Sequence, residues 1–285
     1  MTTFRDYMRN VYYQFYKLTS KKYVIPAKEV VIDVVIPFLQ PDAEVLLLCI
    51  QGVRHCVNHK IDKIYVVSPE TDLVKKLCED NDAVFVDETK VMGYGSEAVS
   101  FHTDTGEDRS GWIFQQLLKL SGKIGENRYF LVIDADHVLV RPHTFISQDG
   151  RFVFYRSSDH HIPYYNTLES LTGFTDYGFF TFSYVSRKMI FDKEILAELR
   201  ETLAGRSCKE WDRAIIESLE NGELTTFSEF ELYGNYVPDE KKISLPWRTK
   251  VLSSARLAPY EKLVDKYSGK FLALTFPDSI ESMYK

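Results

Sequence analysis

Asp134 and Asp136 stand two residues apart, directly after the five-residue run Tyr129-Phe130-Leu131-Val132-Ile133, with His137 next in line. In extended chain, side chains at that spacing share a face about 7 Å apart. Carboxylates held so close repel, and each raises the other's pKa unless a cation sits near them. Together with waters and phosphate oxygens they would form an all-oxygen octahedron suited to Mg²⁺ or Mn²⁺. The plainer alternative is a polar turn at a strand end. His137 either adds a hydrogen bond to a phosphate or is solvated in that turn.

Other residues could serve a phosphorylated ligand. Arg109 precedes a helix expected over 110–121, where a guanidinium could grip a diphosphate bidentately or simply be a surface charge. Trp112, Gln115 and Gln116 fall in the first turns of that helix. Gln116 and Lys119, three apart, share a face that can look into a cleft, while Leu117, Leu118 and Leu120 face the core. Pro37 and Ser68 each close an apolar run. Asp159, His160 and His161 are either a second-substrate site or a solvated loop. Glu229 and Glu231 are candidates for a general base, although Ser228-x-x-Glu231 also reads as a capping box, which would leave Glu229 the freer of the two.

The elements that must position these residues are legible as alternating patterns. VVIDVVIPF (30–38), KIYVV (63–67), AVFV (83–86) and YFLVI (129–133) are dense apolar strands. Helical patterns over 45–55, 73–81 and 110–121 separate them. Continuous apolar strands alternating with helices predict a mostly parallel sheet covered on both faces, with right-handed crossovers. In such sheets ligands bind beyond the carboxyl ends of the strands, where Pro37, Ser68 and Asp134 fall. Further on, 152–155 and 178–185 read as strands, and 188–204 and 209–221 as helices. They would complete the sheet and add a cap that would bind a second substrate.

The 285 residues are 45% hydrophobic, enough to bury a core without disulfide or metal staples. A net charge of −6 disfavours a general nucleic-acid binder. The four cysteines form no CxxC pair, which suits a reducing compartment. No run approaches the roughly 20 apolar residues of a membrane span, and the first residues lack a secretory core. The expected location is cytoplasmic. Phe4, Tyr7, Met8, Val11, Tyr12 and Phe15 recur at helical spacing within an N-terminal helix over 1–25, where Arg5, Arg9, Lys17, Lys21 and Lys22 face Asp6 alone. That helix either docks on the domain or makes peripheral contact with the inner face of an anionic membrane.

The DxD segment after a buried mid-chain strand resembles the GT-A glycosyltransferases. Val34-Val-Ile-Pro37 is similar to that fold's nucleotide-binding strand. Arg109-Ser-Gly-Trp112-Ile-Phe-Gln115-Gln116-Leu-Leu-Lys119-Leu and Ser228-Glu229-Phe-Glu231-Leu-Tyr233-Gly234-Asn235-Tyr236 resemble segments of a family of bacterial surface-polysaccharide and lipopolysaccharide glycosyltransferases. The likeness spans residues 30–240. It implies a single Rossmann-like GT-A domain, with 30–140 holding a nucleotide sugar and 141–285 the acceptor. It further implies a transferase moving a sugar from a UDP- or GDP-sugar to a hydroxyl of a glycan or lipid-linked glycan, with Mn²⁺ or Mg²⁺. On that pattern Asp136 ligates the metal directly, and Asp134 binds it through water or contacts ribose and sugar hydroxyls. Arg109, Trp112, Gln115, Gln116, Pro37 and Ser68 would contact the donor, and Asp159 and His160 the acceptor. One departure is that many GT-A enzymes take a third, histidine ligand from the C-terminal part, and here His161 is the last histidine.

Two further readings stand beside it. Asp134-Ala-Asp136-His137-Val138 also fits the DxDx(T/V) of haloacid-dehalogenase-like phosphatases, with Asp134 as nucleophile. That motif normally opens its domain, whereas about 130 residues precede it here, and no later GDxxxD strand is found. A sugar-binding module without turnover would have little need of both carboxylates.

Overall fold

A computed structural model describes residues 4–20, 23–39, 42–175, 181–219 and 226–277. Strand β1 (Val31–Pro37) lies at the centre of a five-stranded sheet. Beside it on one side runs β2 (Lys60–Ser68), then β3 (Val84–Asp87); on the other runs β4 (Tyr129–Ile133). These four strands are parallel. β1 is buried over six consecutive residues, Ile32 to Pro37, and successive side chains point to opposite faces, so both faces are covered. Covering helices are α2 (Ala43–Cys56), α3 (Asp72–Asp80) and α5 (Ser110–Leu120), which send Leu46, Ile50, Val53, Val74, Ile113 and Leu117 into the core. A one-turn helix, α4 (Glu88–Met92), follows β3. The expected mixed α/β architecture, mostly parallel and flanked by helices, is the one observed.

Asp33 interrupts the apolar run of β1 without a penalty. Its wholly buried carboxylate accepts from the backbone amides of Glu126 and Asn127, both at 2.8 Å, and from Asn127 Nδ2 at 3.0 Å. Gly125 makes the loop possible: its φ is +78°, and a Cβ there would lie 2.4 Å from Asp33 Oδ2.

The second half departs from the expected elements. Lys188–Asp192 is a strand rather than the start of a helix. This β7 joins the sheet antiparallel to β4, in register Ile133↔Lys188. Helix α7 (Lys193–Ser207) follows at once, capped by the Asp192 side chain accepting from Glu194 N at 2.9 Å. The physical cause of the misreading is that an apolar strand runs into a helix without a breaker, so one continuous pattern covers both. The strand expected over 178–185 lies partly outside the described residues, and 181–185 contributes only an isolated bridge, Ser157↔Ser183. The helix expected over 209–221 is the shorter α8 (Trp211–Ser218); residues 220 and 221 lie outside the described residues.

Nor does the strand at 152–155 extend the main sheet. Preceded by the short β5 (His137–Leu139), β6 (Phe152–Arg156) pairs instead in parallel with β8 (Lys242–Pro246). β5 belongs to a third sheet with β9 (Thr249–Val251) and β10 (Ala273–Thr275). Between these lie α6 (Ile162–Thr172), α9 (Glu229–Tyr236) and α10 (Tyr260–Tyr267), and α1 (Phe4–Thr19) packs against the outside. All four cysteines are free, Cys49, Cys56 and Cys78 in the interior and Cys208 at the surface.

Candidate functional site

Strand order β3-β2-β1-β4 reverses direction between β1 and β4, so the crevice beyond their carboxyl ends is the topological switch point. Pro37 ends β1 and Asp134 follows β4 at this edge, with Ser68 at the end of β2. Pro37 is buried, as is Ser68, whose hydroxyl bonds to the Pro69 carbonyl at 3.0 Å. A pocket of about 460 Å³ opens at the opposite edge, lined by Arg54, His59, Ile61 and Asp82. The chemistry points instead to the switch point, where charged groups converge.

The two carboxylates are not alone. From α5, Lys119 Nζ reaches Asp134 Oδ1 at 2.8 Å and Glu229 Oε1 at 2.7 Å. Arg187, just ahead of β7, places Nη1 2.9 Å from Asp136 Oδ2 and 3.9 Å from Asp134 Oδ2. Burial opposes the charge on Lys119, but Asp134 and Glu229 outweigh it and hold the ammonium above its ordinary range. Arg187 has a left-handed backbone, φ +59°, and its carbonyl accepts from Asp134 N at 3.0 Å, one step beyond the β4–β7 ladder. Neither cation was singled out as a partner of the pair by sequence reasoning. Lys119 was placed on the cleft-facing side of its helix; Arg187 carried no local signal.

His137 is neither solvated nor facing the crevice. It is wholly buried, with Nδ1 2.8 Å from Thr275 Oγ1 and Nε2 3.0 Å from Lys188 Nζ. Burial, then the Lys188 and Arg187 charges, push the imidazole well below its usual pKa. Lys188 is buried too, and that burial brings its ammonium down to about 7.

Glu229 and Glu231 are both interior. Glu229 is not free to face an acceptor: it is the buried partner of Lys119, and its amide donates to Gln116 Oε1 at 3.0 Å. Burial raises the Glu229 carboxyl, opposed by Lys119. Only half of the capping box forms, Ser228 Oγ accepting from Glu231 N at 3.4 Å. The Glu231 carboxylate turns away to accept from the Ser183 hydroxyl, from Tyr184 N at 3.1 Å and from Asn235 Nδ2 at 3.2 Å. Burial raises its carboxyl as well. Both glutamates are therefore braces, fixing α9 to α5 and to the 183–184 segment.

Gln116 is buried in that brace, whereas Gln115 and Trp112 are half-buried. Arg109 lies 5.8 Å from the Trp112 ring, with Nη1 3.5 Å from Glu107. Asp159 is exposed, near enough to Arg187 for their charges to interact, and the half-buried His160 ring sits 4.7 Å from that of Tyr165.

The donor chemistry of the pair suits a hard divalent ion. Asp134 is 26% exposed and keeps Oδ2 outside hydrogen-bond range of Arg187. Among the described residues no third histidine, cysteine or carboxylate joins the pair in a metal cluster, so water and substrate oxygens would have to complete the shell.

Fold and site together define a class: a doubly wound α/β protein with an acidic pair, flanked by two basic side chains, at its switch point. The chain belongs to the family described as Family of unknown function (DUF6492), which it matches over residues 32–256. No curated protein sequence matches it. Among solved structures it is similar to mouse xyloside xylosyltransferase 1 in its apo form, with 13% identity, a TM-score of 0.47, and 87% of this chain and 98% of that one covered. It is also similar to the galactosyltransferase LgtC in complex with donor and acceptor sugar analogues, with 10% identity, a TM-score of 0.47, and coverage of 86% and 87%. A third is the apo bifunctional glycosyltransferase WbbM, with 12% identity, a TM-score of 0.43, and coverage of 90% and 47%.

Proposed function

We propose that this protein is a glycosyltransferase. It moves a sugar from a nucleoside-diphosphate donor, a UDP- or GDP-sugar, to a hydroxyl of a glycan or lipid-linked glycan. The observation that carries the reading is the convergence of Asp134, Asp136, Lys119 and Arg187 at the switch point between β1 and β4.

Cleavage of the donor leaves charge on the departing diphosphate, and fixed positive groups beside it lower the barrier. Arg187, partly exposed and able to bond bidentately, is the chain's own group for that charge. Lys119 orients Asp134 through their ion pair, and α9 braces Lys119 through Glu229. Asp136 and Asp134 would hold Mg²⁺ or Mn²⁺, which supplies Lewis-acid charge to the same phosphate oxygens. Pro37 and Ser68 border the nucleotide side of the crevice; Arg109, Trp112 and Gln115 lie along its helix, and Asp159 and His160 on the acceptor side.

The test is thermal unfolding with UDP, GDP and other nucleotides, each with Mn²⁺ or with EDTA, for the parent and Asp136→Asn. One diphosphate should raise the melting temperature by about 5–11 °C with Mn²⁺, as expected at roughly 100 Kd. The shift should vanish in Asp136→Asn. No response to any nucleotide, or stabilisation by beryllium fluoride with phosphate release from a phospho-sugar, would overturn the proposal.

A further inference from the structure

Helix α1 turns its apolar stripe away from the protein. It is seated through the buried Arg9 and Tyr13. The Tyr13 hydroxyl lies 2.7 Å from the Arg156 carbonyl and 2.8 Å from that of Trp247, and the rings of Tyr12, Tyr13 and Tyr16 gather on Phe182. At 3.6 residues per turn, Phe4, Tyr7, Val11, Phe15 and Leu18 fall on the opposite side. They are 47–79% exposed. A helix that only braced the domain would bury such a stripe. Of the aromatic face expected from spacing, Tyr12 therefore docks on Phe182, while Phe4, Tyr7, Val11 and Phe15 stay outside.

Charge says what covers the stripe. Residues 1–22 contain five basic residues against one acidic, and with Arg9 buried and paired to Asp6 at 3.0 Å the segment still stays basic, in a chain whose net charge is −6. We propose that α1 is an interfacial helix that lies flat on an anionic membrane, with the Phe4–Leu18 stripe at the boundary of headgroups and acyl chains. A second copy of the chain fits the stripe less well. With Phe4, Val11 and Leu18 at one seam position of a heptad, the other holds Tyr7 and then Gln14, and 16 residues fall short of the three or so heptads of a coiled coil. No helix among the described residues is long and apolar enough to cross a membrane, so contact would be from one side.

The location gives this surface a purpose. α1 lies against the stretch holding Arg156, Asp159 and His160, and the Arg9 and Asp6 charges are felt at His160. Resting on the proposed transferase reading, the acceptor is a lipid-linked glycan whose sugar end rises from the bilayer into the crevice.

The full chain is sedimented with vesicles of phosphatidylcholine alone or with about 30% phosphatidylglycerol, at low salt and at about 0.5 M NaCl. Expected are roughly tenfold stronger binding to the anionic vesicles, loss of that preference at high salt, and loss of binding by at least about tenfold in Val11→Asp/Phe15→Asp, with its melting temperature kept. Absence of binding, undiminished binding by the double variant, or a concentration-dependent dimer that the double variant disperses would each overturn the proposal. The nucleotide-induced thermal shift, measured without vesicles, reads the transferase proposal separately.

Discussion

Replacing Lys119 by methionine tests whether the acidic site is held by a buried cation. The ammonium is 7% exposed and joins Asp134 at 2.8 Å to Glu229 at 2.7 Å. Methionine keeps much of the volume but leaves the Glu229 carboxylate, 4% exposed, without its ammonium. Asp134, more open, can turn to water. Breaking a buried pair from one side costs about 3–5 kcal/mol. For a chain of this size that is a fall of roughly 6–20 °C in melting temperature at neutral pH. The loss should depend on pH with a definite sign. Burial raises the Glu229 carboxyl, and in the variant no ammonium opposes it. Its folded pKa then lies above the unfolded value, so folding takes up a proton. Stability is retained at acid pH and lost as pH rises through the raised value. Melting curves from pH 4.5 to 8 should therefore show a deficit that widens with pH. Lys119→Met/Glu229→Met, which removes both charges, should recover most of it. A single variant within about 2 °C of the parent, or a double variant no better than the single, would refute the reasoning.

Two more outcomes follow from packing and from charge. A Cβ on Gly234 would meet the Tyr184 ring at 2.4 Å, so Gly234→Ala should cost about 1–3 kcal/mol in urea unfolding, and the penalty should disappear in a Tyr184→Ala background; an unchanged penalty there would point elsewhere. Burial lowers Lys188 to about 7, so between that value and its ordinary range the unfolded chain binds more protons and stability rises with pH. Lys188→Met should accordingly be more stable than the parent by about 1–3 kcal/mol at pH 7, with the gain shrinking toward pH 10; a gain independent of pH would exclude titration as its cause.

The central sheet was readable because β1, β2 and β4 are short runs of consecutive apolar residues bounded by helical patterns, which only a strand covered on both faces requires. The acidic pair was readable for the same reason, since a buried strand fixes where its next residues emerge. What was not readable depends on distance or on backbone. Lys119 meets Glu229 across 110 positions of sequence, and Arg187 reaches Asp136 from a left-handed residue with no glycine to announce it. The Ser228 and Glu231 pattern was recognisable as a cap, yet a carboxylate that caps in one fold can bind the Ser183 hydroxyl in another. The break between β7 and α7 rests on Asp192 alone, whose capping role is visible only once the chain has already turned.

The reversed direction of β7 has one more consequence. Each parallel strand delivers its last residues to the reactive rim, and a further parallel strand would have needed a whole crossover helix to do so. A strand running the other way delivers its first residues there. Ile133 opposite Lys188 fixes that meeting point, so Arg187 is anchored by hydrogen bonding downstream of it. The pairing downstream, rather than the path by which the chain arrives, therefore sets where the guanidinium starts.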